Sequence, residues 1–235
     1  MNSLRLKQTL KYQLSYFGWS SLWVYGISVT VMAVVIALVA FSVTDSNISA
    51  GLGGVGFLHL FILGIGIRSD LKFFLQHGIS RRTTFFNNLI GSFICAVMLG
   101  LFCEVFNLIF NRWIYISGYV DASGISGFFK GWIAYVCSFF FAWQVGALIS
   151  LIYYRLGALQ KVIFSVLGAG ALVLGFSGAV RYIIGIADEF GDGMLQSLFE
   201  GSLDIVMPIA LGVLILAMFS AVGNYFLLRR APVKE

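Results

Sequence analysis

Charge is what this chain has least of. Asp, Glu, Lys and Arg together make up 11% of its 235 residues, against about 25% in an ordinary soluble domain. That scarcity excludes a water-soluble globule of this size. Cysteine is scarce too: Cys95, Cys103 and Cys137 lie inside apolar runs with no paired spacing, which excludes a disulfide framework and a thiolate metal site. The two histidines, His59 and His77, fall on different elements. No phosphate-cradling G-x-x-x-x-G-K-[ST] is present, nor GxGxxG after a strand, HExxH, a CxxC pair or GxSxG. No catalytic constellation remains, so the chain is not read as an enzyme and binds no cofactor of its own. If it uses ATP, the ATPase is another polypeptide.

What is abundant is apolar sequence, at 60% of residues with a mean hydropathy of +0.95. Several runs exceed the roughly 18 residues needed to cross about 30 Å of hydrocarbon as a helix. The expected fold is all-α, a single polytopic domain with six transmembrane helices at about 21–43, 51–67, 85–110, 132–153, 162–184 and 205–228. Residues 1–17, with Leu6, Leu10, Leu14 and Phe17 at helical spacing, suit a separate interfacial helix. No cleavable signal is expected there. Trp19 and Trp23 suit a boundary belt. The second span opens on glycines 51, 53, 54 and 56, which suggests an irregular or closely packed end. Residues 111–131 read as an outer loop. The fifth span carries a face of small residues, although no strict G-x-x-x-G falls within any predicted span. Residues 188–204 read as an outer amphipathic or re-entrant segment.

Of the fifteen Lys and Arg, only Arg112, Lys130 and Arg181 lie opposite the predicted side of the termini. The positive-inside rule therefore puts both termini in the cytoplasm of a cell membrane. It also accounts for the sequence pI near 9.2 without a nucleic-acid partner, because the basic residues sit in short loops beside spans.

The largest polar island between apolar runs is residues 68–82. Ser69 suits an N-cap, Asp70 the positive end of a helix, and Gly78 the left-handed residue just past a helix end. Leu71, Phe74 and Leu75 make a narrow apolar stripe between them, and Ser80 can cap a second helix starting at Arg81. Within the spans, Glu104 is the one acid. It shares a face with Ala96, Gly100, Asn107 and Asn111. A buried ionisable group costs roughly 2.5–3.5 kcal/mol on insertion scales, so it faces either a packed partner, Arg181 being one choice, or an outward cavity or gate. His59 divides the same way, between an interhelical hydrogen bond and a substrate or proton role.

This layout resembles the permease subunit of the type-2 ABC exporters, in particular small bacterial members whose ATPase is separate. As sequence the likeness rests on Phe73, Phe74, Leu75, Gln76, His77, Gly78, Ile79, Ser80, Arg81 and Arg82. The resemblance implies that residues 69–77 are a coupling helix seated in an ATPase groove, that Ser69, Asp70, Leu71, Phe74, Leu75, His77, Gly78 and Arg81 serve the coupling, and that ATPase closure pushes on Leu71, Phe74 and Leu75. It implies an elbow helix at 1–17 and an exit element at 188–204. It also implies a second permease chain, two ATPases holding ATP and Mg, and a path lined by His59, Gly100, Glu104, Asn107 and Asn111. The short second outer loop and the lack of a soluble extracellular domain depart from larger members and speak against a folded external receptor role. An apolar, aromatic interior favours an amphipathic or hydrophobic cargo, such as a cytolytic peptide, a lipid or a drug. The rival expectations are an ATP-independent channel or proton-coupled transporter, and a membrane immunity or scaffold protein.

Overall fold

Apolar runs this long solve their backbone hydrogen bonds in one way, by coiling. A computed structural model describes residues 3–41, 52–110, 124–157, 160, 161, 163, 165 and 203–229. Among these residues all regular structure is helical: α1 Ser3–Phe41, α2 Leu52–Ile65, α3 Ile67–Gln76, α4 Arg81–Phe110, α5 Gly124–Arg155 and α6 Leu203–Arg229. Five of the described stretches are long and apolar enough to cross a membrane. The predicted span at 162–184, residues 188–202 of the outer segment, Asn111 and Arg181 lie outside the described residues, isolated positions excepted.

α5 is the centre of the bundle and packs against α2, α3, α4 and α6. Its Phe139, Ala142, Ala147 and Leu151 are buried. α2 crosses it at almost no distance: a methyl group on Gly64 would run into the Trp143 carbonyl oxygen, and one on Gly146 into that of Phe61. The glycine-rich opening of α2 is helical from Leu52, with Gly53 lying under the Tyr135 ring and Gly56 under Tyr25 and Phe139. Close packing is the use those glycines have. α5 and α6 run parallel, since Gln144 meets Asn224 and Arg155 donates to the Leu227 carbonyl.

Two segments differ from expectation. Residues 3–41 form one helix, with no break between an interfacial part and the first span. The reason is a single stripe: Thr9, Gln13, Phe17 and Tyr25 are all buried at four-residue multiples, so the contacts that hold the span also hold the turns before it. Trp19, Leu22, Ile27 and Val31 cover the opposite, exposed face. Likewise α5 begins at Gly124 rather than near residue 132, which brings the last two turns of the expected loop into the helix. Gly127 and Gly131, four apart and both buried, thus form a G-x-x-x-G inside a spanning helix after all.

Candidate functional site

The polar island forms a short helix with a defined stop and restart. α2 ends at Ile65, and Gly66 bends the chain without leaving the right-handed region, at φ −64° and ψ −12°. Its carbonyl accepts the amides of Ser69 and Asp70, so Ser69 lies inside α3 and caps nothing. Asp70 does occupy the first turn. At the other end Gly78 takes φ +72°, the one left-handed residue among those described. The Ile79 amide donates to the Phe74 carbonyl at 2.9 Å and the Gly78 amide to that of Leu75 at 3.1 Å, the two bonds of a Schellman turn. Two residues later Ser80 Oγ accepts the Thr83 amide at 3.2 Å and lies 2.8 Å from the Thr83 hydroxyl. α3 therefore passes into α4 through a turn closed by backbone bonds on one side and a hydroxyl cap on the other.

The stripe of α3 faces the bundle. Leu71 and Phe74 are 4% and 3% exposed, and Leu75 is half-buried. Ile67 and Leu71 sit in a cluster with Phe85 of α4, Ala147 and Leu151 of α5 and Leu228 of α6. Phe74 meets the Tyr12 ring edge-on at 6.3 Å. Leu71 and Phe74 are thus covered by the chain's own bundle, as an apolar stripe must be. The open face carries Arg68, Ser69, Lys72, Phe73, Gln76 and His77. There Tyr12 stacks on Phe73 at 5.3 Å, and His77 Nδ1 donates to the Phe73 carbonyl at 2.8 Å. Arg68 lies over the Tyr154 ring at 4.8 Å, and Arg81 donates to the Arg229 carbonyl at 3.0 Å, which ties this end of the bundle together.

Toward the C-terminal end of α4, Gly100, Glu104 and Asn107 face α5. Gly100 packs against the Tyr135 and Val136 side chains of that helix, and a methyl there would come within 3.2 Å of both. Glu104 is 1% exposed and lies directly over Gly131, where a methyl would sit 2.5 Å from its Oε1. Asn107 donates to the Tyr135 hydroxyl at 3.0 Å. His59 belongs to a different interface: its Nε2 is 2.9 Å from Ser20 Oγ of α1, and its ring lies 6.1 Å from those of Phe17 and Tyr25. The structure thus brings Gly100, Glu104 and Asn107 together on α5 and places His59 with α1.

A third group was not singled out in the sequence. Gln13 Oε1 accepts from Asn87 at 2.7 Å, Trp143 donates to Asn88 at 2.9 Å, and Gln144 donates to Ser92 at 2.9 Å. Asn224 donates to both the backbone and the side-chain oxygen of Gln144 at 3.0 Å. These bonds tie α1, α4, α5 and α6 across a buried layer. The adjacent Asn87 and Asn88, with Gln144 and Asn224 inside apolar runs, carried the signal, since each is a polar group that must find a partner in hydrocarbon.

This chain matches no family model, no curated protein and no solved structure.

Proposed function

We propose that this chain is the transmembrane permease subunit of an ATP-driven exporter in the cytoplasmic membrane, with α3 as its coupling helix. The observation that carries the reading is mechanical. α3 is wedged by Ile67 and Leu71 against α4, α5 and α6 and by Phe74 against Tyr12 of α1, and a Schellman turn with a serine cap joins it to α4, while one face stays open. A push on Lys72, Phe73, Gln76 or His77 moves α3 as a unit and reaches α4 and α5 without being absorbed in a soft loop. A separate ATPase, holding ATP and Mg, supplies that push, and a second permease chain completes the path. The parallel run of α5 and α6 supports a six-span order, which needs one further crossing between them, and both termini then lie in the cytoplasm. The cargo that suits so apolar a bundle is amphipathic or hydrophobic.

The test is a double substitution on the open face, Phe73→Asp with His77→Asp. The variant should insert and fold as the parent does but no longer copurify with an ATPase from native membranes. An ATPase retained at the parent's level by this variant, or one that never accompanies the parent, contradicts the reading.

A further inference from the structure

Where α4 begins and α6 ends, three arginines meet at one cleft. Arg81, Arg82 and Arg229 line it, over a floor of Phe85, Tyr225 and Leu228, and it encloses about 340 Å³. Among the described residues no acidic side chain lines it. Arg81 spends one N–H on the Arg229 carbonyl, and a guanidinium carries five donors, so most of its fork remains for a ligand. Arg82 and Arg229 are exposed. The first turn of α4 adds the positive end of its dipole at the same place, while Arg81 and Arg155 occupy the last carbonyls of α6 and so blunt the opposing negative end. The chemistry is that of an anion with several oxygens.

The cleft does not end at its floor. Phe85 and Tyr225, ring centroids 5.1 Å apart, also line a second hollow of about 320 Å³, walled further by the apolar side chains of Leu89, Met218, Ala221, Val222 and Phe226. Arg229, Tyr225, Val222 and Met218 follow one stripe of α6, and Arg81, Phe85 and Leu89 one stripe of α4, so the two hollows form a single furrow between the helices. From residue 229 to residue 218 it runs about 16 Å at 1.5 Å per residue. That is about half of the roughly 30 Å hydrocarbon core, or the depth of one leaflet.

We propose that this furrow is a binding site for an anionic phospholipid, with its phosphate on Arg81, Arg82 and Arg229 and one acyl chain laid between α4 and α6. Charge at the mouth selects the headgroup, and the uncharged hollow behind it excludes a free phosphate as the intended occupant. The site stands whether or not the chain is an exporter.

The experiment uses the full chain, stripped of lipid in detergent, with palmitoyl-oleoyl phosphatidylglycerol, the phosphatidylcholine of the same chains, and inorganic phosphate as probes. Bound lipid is read by native mass spectrometry and stabilisation by thermal unfolding. Phosphatidylglycerol should bind on the order of tenfold or more tightly than phosphatidylcholine, and Arg82→Gln with Arg229→Gln should erase that preference. Val222→Trp, which fills the hollow from its exposed side, should weaken both lipids. All three positions are exposed, and unchanged elution on a sizing column shows that the variants remain folded. Equal affinity for the two lipids, a preference that survives the arginine pair, indifference to Val222→Trp, or inorganic phosphate stabilising as well as phosphatidylglycerol each overturns the proposal.

Discussion

Gly64 and Gly146 notch into one another where α2 crosses α5, each occupying space that the other helix's backbone would otherwise deny. A carbonyl cannot swing aside as a side chain can. Gly64→Ala or Gly146→Ala should therefore destabilise the bundle by about 1–3 kcal/mol, the usual cost of overpacking. Gly54→Ala, on the same helix with nothing within 4 Å of the added methyl, should be neutral or slightly stabilising. Thermal unfolding in detergent separates the three.

Glu104 and Gly131 form a second such pair, across α4 and α5. Gly131→Ala drives a methyl against the carboxyl group and should lower the melting temperature. Shortening the partner with Glu104→Ala should restore part of the loss in the double variant, which two independent effects would not do.

The buried amides test whether four helices are held by specific bonds or by apolar contact alone. A double-mutant cycle on Gln13 and Asn87, joined at 2.7 Å, should give a coupling of about 0.6 kcal/mol, with roughly 1.7 as the ceiling for such bonds in a membrane. A coupling of zero would mean that α1 is positioned by something else.

The turn between α3 and α4 makes its own demands. Gly78→Val places a branched side chain at φ +72°, which costs about 1–2 kcal/mol, and Gly78→Asn should cost less because Asn tolerates that region. Ser80→Ala removes the acceptor of the Thr83 amide, for about 0.5–2 kcal/mol. On the proposed function, all three should reduce cargo-stimulated ATP hydrolysis more than they reduce folded protein.

What the sequence made legible was local. Gly78 and Ser80 could be placed because a left-handed stop and a hydroxyl cap act on atoms three to five residues away. The apolar stripe of α3 was equally plain, yet periodicity reveals that a stripe exists and not what covers it, and Leu71 turned out to face Leu151 and Leu228. Ser69 was misplaced because the bend at Gly66 keeps helical angles and so needs no cap. Gly131 reads as loop by composition, when it lies under Glu104, some thirty residues back in the chain. Gln13 falls on the predicted interfacial helix, and its partner Asn87 stands 74 residues away. For Leu71, Gly131 and Gln13 the missing information was a distant neighbour. Of the expected path, Gly100, Glu104 and Asn107 do meet on α5, while Asn111 lies outside the described residues.

The most direct measurement is photo-crosslinking in native membranes from a single reactive side chain placed at Phe73, on the open face of α3, with a second probe at Leu58, an exposed position on α2. The exporter reading predicts an adduct from position 73 to a polypeptide that also labels with an ATP analogue, and none from position 58. Adducts from position 73 to lipid alone would contradict it.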